Sequence, residues 1–103
     1  IRVPTPNVSC VDLTVELDGS VSVEQINTAM KNAAAGPLKG VLAVTDAKLV
    51  SVDFNHDPHS SIFATDQTKV IDDSLVRILT WYDNEWGFSN RMADTAVQMG
   101  KFL

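Results

Sequence analysis

Residues 75–91 read Leu75-Val76-Arg77-Ile78-Leu79-Thr80-Trp81-Tyr82-Asp83-Asn84-Glu85-Trp86-Gly87-Phe88-Ser89-Asn90-Arg91. This stretch decides the fold, because it joins two strongly apolar segments through a polar junction. Its first part, 75–82, is rich in β-branched and aromatic side chains and predicts a mostly buried strand. After the junction, apolar residues recur at the steps of three or four that are typical of a helix. They are Phe88, Met92, Ala96, Met99 and Leu103.

The junction itself is the first candidate for a functional site. A strand that leads directly into a helix leaves backbone N–H groups unpaired, and ligands often bind there in α/β proteins. Asp83 and Asn84 carry side-chain oxygens of the kind that cap a helix. Asn84 has an alternative role, because an amide both donates and accepts and can therefore recognise another carboxamide. Both roles of Asn84 stay open from the sequence.

Length and composition limit the class of protein. With 103 residues and 45% hydrophobic content, the chain is at most one domain and can form a packed core. A net charge of −5 argues against nucleic-acid or anionic-membrane partners. The single cysteine cannot form an internal disulfide, which favours a reducing cytoplasm. The chain starts with Ile1 and not with Met, so we expect it to be part of a larger protein.

The first half predicts one strand and one helix. Apolar and polar residues alternate over 11–17, which predicts a strand with one buried face. Ser22 and Gln25 have the spacing of a capping box, and Gly36-Pro37 is a stop signal. We therefore expect a helix between these two signals.

Short apolar runs predict further strands at 40–44 and 49–54, with a loop at 55–59. Residues 61–64 and 69–71 predict another pair of strands around 65–68. Helices are too few to cover a parallel sheet by repeated crossovers. The predicted fold class is therefore α+β, with a mainly antiparallel sheet and two helices.

Other candidate residues carry weaker signals. His56 and His59 flank Asp57 and could bind zinc, but Pro58 excludes a regular helix there and no thiolate accompanies them, so a polar loop is favoured. Cys10 lacks a nearby partner that would lower its pKa, so a packed strand cysteine is favoured over a nucleophile. Arg2 lies on a stiff, proline-rich segment and could bind phosphate or carboxylate, although a solvated arginine is the alternative.

Four blocks of the sequence resemble one family in order and spacing, and together they span essentially all 103 residues. The blocks are Arg2-Val3-Pro4-Thr5-Pro6-Asn7-Val8-Ser9-x-Val11-Asp12-Leu13-Thr14-Val15, Leu38-Lys39-Gly40-Val41-Leu42, Ser51-Val52-Asp53-Phe54-Asn55 and the junction 81–91. They resemble the C-terminal portion of bacterial-type phosphorylating glyceraldehyde-3-phosphate dehydrogenases. The related erythrose-4-phosphate dehydrogenases share these blocks. A non-catalytic α+β binding or assembly module is the alternative that pattern alone suggests.

The resemblance implies an enzyme that oxidises an aldehyde phosphate with NAD and releases an acyl phosphate with inorganic phosphate. It implies that Arg2 binds phosphate groups and that Asn84 orients the nicotinamide carboxamide. It places Tyr82 near the catalytic pocket. Phe88 falls near the nicotinamide, at a position where many members carry tyrosine, so its hydroxyl is missing here.

The resemblance also sets expectations for the whole molecule. It implies that residues 1–103 are the C-terminal part of a catalytic domain in a cytoplasmic homotetramer. The catalytic cysteine, its histidine base and the nucleotide-binding domain would then precede Ile1, and Cys10 does not match the nucleophile. We therefore expect no catalytic residue within this chain, no metal, no activity of the chain alone, and self-association when it is studied by itself.

Overall fold

A computed structural model describes residues 2–103. It contains five strands and two α-helices: β1 Ser9–Glu16, α1 Val23–Ala35, β2 Leu42–Thr45, β3 Ser61–Ala64, β4 Lys69–Ile71, β5 Leu75–Tyr82 and α2 Trp86–Gly100. Neither of these helices has the combination of length and apolar character that a membrane crossing requires.

Strand β5 is the central strand of the sheet and pairs with three other strands. Strand β1 pairs with β5 antiparallel along its full length, from Ser9 opposite Tyr82 to Glu16 opposite Leu75. The other edge of β5 is shared by β3 and β4, both antiparallel to it. Strand β2 adds to β3 in parallel, which gives the order β1-β5-β3-β2. The predicted α+β class with a mostly antiparallel sheet is confirmed, with one parallel pair.

The core lies on both faces of the sheet. Phe63 of β3 is fully buried and Val76 of β5 nearly so. Ile62, whose side chain points to the opposite face, packs with Phe54 and Val8. The ring of Phe54 stacks on Trp81 with 5.5 Å between centroids. These contacts fix the end of β5 immediately before the junction.

The predicted first helix is confirmed. Ser22 Oγ accepts from Gln25 N at 3.1 Å, and Gln25 Oε1 accepts from Ser22 N at 2.8 Å, so the capping box is complete. The helix ends at Ala35, immediately before Gly36. Helix α1 packs against β2.

Two predictions about strands differ from the structure. Residues 49–54 contain a 3₁₀ helix, Ser51–Phe54, and no strand. Asp53 accepts from Val50 N at 2.8 Å, and such a local bond stabilises a turn over an extended backbone. Strands β3 and β4 do not pair with each other, because a second 3₁₀ turn, Thr65–Gln67, places both along the same edge of β5.

The apolar faces of β1 and α2 are more exposed than the patterns predict. Val11 and Leu13 of β1 are 44% and 41% exposed, so the face of this strand that the sequence predicts to be buried is only partly covered by residues 2–103. On α2, Phe88 and Met99 are each 66% exposed. The apolar periodicity of both elements is present in the structure, and much of it faces solvent.

Candidate functional site

Asp83 caps helix α2. Its backbone carbonyl accepts from Gly87 N at 3.1 Å, which closes the turn that leads from β5 into α2. Its carboxylate oxygen Oδ1 accepts from Glu85 N at 3.1 Å and from Trp86 N at 2.9 Å. These are the bonds of an N-cap residue, placed where the strand ends. The structure therefore assigns to Asp83 the capping role that the sequence divided between Asp83 and Asn84.

Asn84 remains free of that role. It is exposed, and its side chain forms no hydrogen bond to any of residues 2–103. It lines a cavity of about 270 Å³, whose wall combines aromatic, polar and charged groups. The other lining residues are Ser60, Tyr82, Asp83, Gly87, Phe88 and Arg91. An unpaired amide between aromatic side chains fits a flat ligand that carries a carboxamide.

Arg2 lies in a different cavity, of about 490 Å³. Thr5, Ser9 and Ser51 bring hydroxyl groups to the same wall. Among residues 2–103 no carboxylate forms an ion pair with Arg2. A guanidinium in a cavity whose wall also includes hydroxyl-bearing residues suits an oxyanion such as phosphate.

The carboxylate that shares the Arg2 cavity is already neutralised. Asp12 also lines this cavity, but it accepts from Arg77 Nε at 2.6 Å and from Nη2 at 2.8 Å. The hydrogen bond from Arg77 lowers the pKa of Asp12. Asp12 thus stays charged and occupied by Arg77, which leaves Arg2 available to an anion.

The end of β5 separates the two cavities. Trp81 lines the cavity of Arg2 and Tyr82 lines the cavity of Asn84. Successive side chains of a strand point to opposite faces, so the two cavities open on opposite sides of the strand end. Within residues 2–103 the structure brings Tyr82, Asn84 and Phe88 together and does not bring Arg2 into the same cavity.

Gly87 allows the start of α2 to approach the loop before β3. A Cβ atom at Gly87 would lie 2.9 Å from the carbonyl oxygen of His59. Arg91, one turn later, donates to Gly40 O at 3.2 Å and to Ser60 Oγ at 3.3 Å. These contacts fix the wall of the Asn84 cavity against the rest of the domain.

The histidine loop has a structural arrangement. His59 Nδ1 lies 2.7 Å from Asp57 Oδ1, and the ring of His56 lies 5.1 Å from that of Trp86. Residues 2–103 contain no cluster of three metal-binding side chains. Both histidines lie in the loop that borders the junction.

Cys10 is exposed, so the expectation that it is packed in the strand is wrong. It lies in the wall of the Arg2 cavity, and no histidine lines that wall. Strand β1 is an edge of the sheet, so its side chains lack a covering neighbour on one side. No thiol–imidazole pair of the kind that activates a nucleophile forms there.

Sequence reasoning missed Asn7 and the full role of Asp83. Asn7 Nδ2 donates to Asp83 Oδ2 at 3.0 Å and to Asn55 Oδ1 at 2.7 Å. The first of these bonds spans 76 positions of sequence, so no local pattern predicts it.

The mostly antiparallel sheet with its two helices, and the cavities at Arg2 and Asn84, define an α+β domain. A family profile described as glyceraldehyde 3-phosphate dehydrogenase, C-terminal domain, matches residues 1–84, and the chain belongs to this family.

Three curated relatives extend the match to the whole chain. All are named glyceraldehyde-3-phosphate dehydrogenase. The protein from Cereibacter sphaeroides is 66% identical over 103 residues, which is 100% of this chain and 31% of the relative. The protein from Xanthobacter flavus is 61% identical, and the match covers 98% of this chain and 30% of the relative. The protein from Mycolicibacterium smegmatis is 55% identical, and the match covers 100% of this chain and 30% of the relative. The chain thus spans less than a third of the length of these relatives.

Proposed function

We propose that residues 1–103 are the C-terminal part of the catalytic domain of a phosphorylating, NAD-dependent glyceraldehyde-3-phosphate dehydrogenase. The reaction converts the aldehyde phosphate, inorganic phosphate and NAD into an acyl phosphate and NADH. We further propose that this enzyme, called the intact dehydrogenase below, is a glycolytic homotetramer of the cytoplasm. The observation that carries the proposal is identity of up to 66% with enzymes of that name along the full chain.

The residues of the junction fit the nicotinamide end of NAD. Asn84 offers one donor and one acceptor edge to the carboxamide, and no side chain of residues 2–103 competes for them. Tyr82 and Phe88 supply apolar walls for a flat ring. Phe88 has no hydroxyl, so its contribution is packing alone. When bound, NAD supplies the hydride acceptor, while this chain orients and encloses it.

Arg2 fits the phosphate groups of the aldehyde substrate and of the attacking phosphate. The guanidinium can donate two parallel hydrogen bonds to an oxyanion, and the nearby hydroxyls can add further donors. The segment Arg2-Val3-Pro4-Thr5-Pro6 is stiffened by two prolines, which reduces the ordering cost when the anion binds.

This chain alone is expected to be inactive. Covalent aldehyde oxidation needs a thiolate and a base in hydrogen-bond reach, and the cavity of Cys10 contains no histidine. The nucleophile and its base would be supplied by chain that precedes residue 1 in the intact dehydrogenase.

The test is phosphate-dependent formation of NADH by the intact dehydrogenase. Glyceraldehyde 3-phosphate, NAD and inorganic phosphate are expected to give NADH at a rate that collapses when phosphate is omitted. A higher kcat/KM with erythrose 4-phosphate would instead identify the related dehydrogenase. Absence of NADH with both aldehydes would contradict the proposal and favour a non-catalytic module.

A further inference from the structure

Asp83 has a hydrogen-bond environment that only a carboxylate can satisfy. The residue is 1% exposed, and its side chain accepts four hydrogen bonds, all from N–H groups. Two reach Oδ1, from Glu85 N and Trp86 N, and two reach Oδ2, from His56 N at 2.9 Å and Asn7 Nδ2 at 3.0 Å. An asparagine at this position would turn an N–H₂ group toward one of these pairs of donors, whichever way its amide rotated.

The four donors belong to three separate segments of the chain. Glu85 directly precedes α2 and Trp86 is its first residue, and both follow Asn84. His56 lies in the loop before β3, in the left-handed region with φ of 63°. Asn7 ends the segment that carries Arg2. One buried carboxylate therefore joins the segment with the candidate phosphate-binding arginine to the junction with the candidate nicotinamide-binding amide.

The segment that contains Asn7 is fixed in position by its contacts with the rest of the domain. Val8, the next residue, has φ of 71° and is buried against Phe54 and Ile62. A β-branched residue in this region is strained, so surrounding contacts must hold it there. The hydrogen bonds of Asn7 and the packing of Val8 supply those contacts.

The charge of Asp83 is maintained despite its burial. Burial is the largest single influence and by itself would raise the pKa of this carboxyl. The hydrogen bonds from Trp86, His56, Glu85 and Asn7 together outweigh it and hold the pKa below its ordinary value. Asp83 is consequently a fixed anion at neutral pH.

We propose that Asp83 is a positioning residue of the dehydrogenase site, which orients Asn84 and, through Asn7, the segment of Arg2. This inference rests on the proposed function. Asn84 has no side-chain partner among residues 2–103, so its direction depends on the backbone that Asp83 fixes on both sides. Asp83 itself touches neither substrate nor cofactor in this account and acts through its neighbours.

The test is a double-mutant cycle in the intact dehydrogenase. Asp83→Asn is expected to lower the hydride-transfer rate and raise the KM for NAD, by about tenfold to a hundredfold, because loss of orientation is costly. If Asp83 acts on NAD through Asn84, adding Asp83→Asn to Asn84→Ala raises the KM for NAD little further. Multiplying effects on the KM for NAD would show that Asp83 does not act through Asn84, and a wild-type rate for Asp83→Asn would overturn the inference.

Asn7→Ala is the second variant, for the case in which Asp83→Asn does not fold. It removes a single donor from Oδ2 and is expected to raise the KM for inorganic phosphate more than the KM for NAD. Equal changes in the two constants, or none, would overturn the link to the segment of Arg2. Asp46→Asn is the matched control, since Asp46 is also hydrogen-bonded but to Thr65 and Lys31, away from both cavities.

The Asn84→Ala variant distinguishes a failure of the role proposed for Asn84 from a failure of the positioning role proposed for Asp83. If this variant transfers hydride at the wild-type rate, the role of Asn84 and the positioning role of Asp83 both fail. If it is impaired while Asp83→Asn is not, only the role of Asp83 fails.

Discussion

At the scale of single residues, two neighbouring side chains of the junction have different tasks: one stabilises the backbone and the other is the candidate for binding a ligand. Asp83 is buried and fully hydrogen-bonded, whereas Asn84, the next residue, is exposed and free of side-chain partners within residues 2–103. The carboxylate suits the first task because it only accepts, and the amide suits the second because it also donates. Gly87 completes the arrangement by letting the helix start approach the carbonyl of His59.

Gly87→Ala is expected to destabilise the chain by about 1–3 kcal/mol, because its Cβ would overlap a backbone oxygen that cannot move aside. Gly100→Ala, in the same helix, is the matched control. Nothing lies within 4 Å of the Cβ it would add, so it should be neutral or slightly stabilising. Urea unfolding of both variants measures the difference, and equal midpoints would contradict the close contact.

Acid should remove the stabilisation that Asp83 provides. Its folded pKa lies below the unfolded value, so its contribution is complete above the unfolded pKa and is lost as pH falls through the folded pKa. The loss is expected below about pH 4. Asp12 and Asp46, whose pKa values are also lowered by hydrogen bonds from Arg77 and Thr65 respectively, add to it.

Unfolding free energy measured against pH checks this expectation. The decrease in unfolding free energy with falling pH should be less steep in Asp83→Asn than in the wild type. It should be unchanged in Asp18→Asn, which replaces an exposed carboxyl without a hydrogen-bond partner among residues 2–103. An identical slope in Asp83→Asn and the wild type would contradict the assigned role.

At the scale of secondary-structure elements, local patterns predicted what local chemistry controls. Strand β5 and helix α1 were predicted well, because an apolar run and a capping box act over a few neighbouring residues. The 3₁₀ helix Ser51–Phe54 was missed, since the bond from Val50 N to Asp53 overrides an apolar pattern that resembles a strand. The partners of β3 and β4 were missed because pairing is a non-local choice.

The same distinction applies to the candidate site. Residue types in the sequence placed a cap at Asp83 or Asn84, and only the backbone geometry decided between them. The link from Asn7 to Asp83 crosses almost the whole chain, so no local signal could predict it. The roles of Arg2, Asn84, Tyr82 and Phe88 came from the family resemblance and remain proposals.

Ser22→Ala should destabilise α1 by about 1 kcal/mol, because it removes the acceptor for Gln25 N and breaks the reciprocal capping box. Ser20→Ala is the control, since Ser20 lies outside the helix and caps nothing. Thermal unfolding followed by circular dichroism compares them. A lower midpoint for Ser20→Ala than for Ser22→Ala would contradict the capping assignment.

At the scale of the whole molecule, much apolar surface is uncovered. Helix α2 exposes Phe88, Met92 and Met99, and β1 exposes Val11 and Leu13. Apolar patches of this kind generally mark interfaces. In the intact dehydrogenase we expect the last helix to pack against the nucleotide-binding domain, as the family resemblance implies.

The chain studied by itself is therefore expected to self-associate or exchange elements between copies. Light scattering should give a mass above that of a monomer, and Met92→Lys combined with Met99→Lys should shift it toward the monomer. Gln98→Lys, off the apolar stripe by helical spacing, is the control and should leave the mass unchanged. A monodisperse wild-type monomer would contradict the expectation.

The central claim is that Asn84 orients the nicotinamide ring for hydride transfer, and the most direct measurement is single-turnover transfer from a deuterated aldehyde in the intact dehydrogenase. Asn84→Ala is expected to slow transfer by about tenfold or more and to distribute deuterium over both faces of the ring. Asn90→Ala, whose amide is engaged with Trp86 O in the same helix, should behave as the wild type. Wild-type rate and facial selectivity in Asn84→Ala would contradict the account.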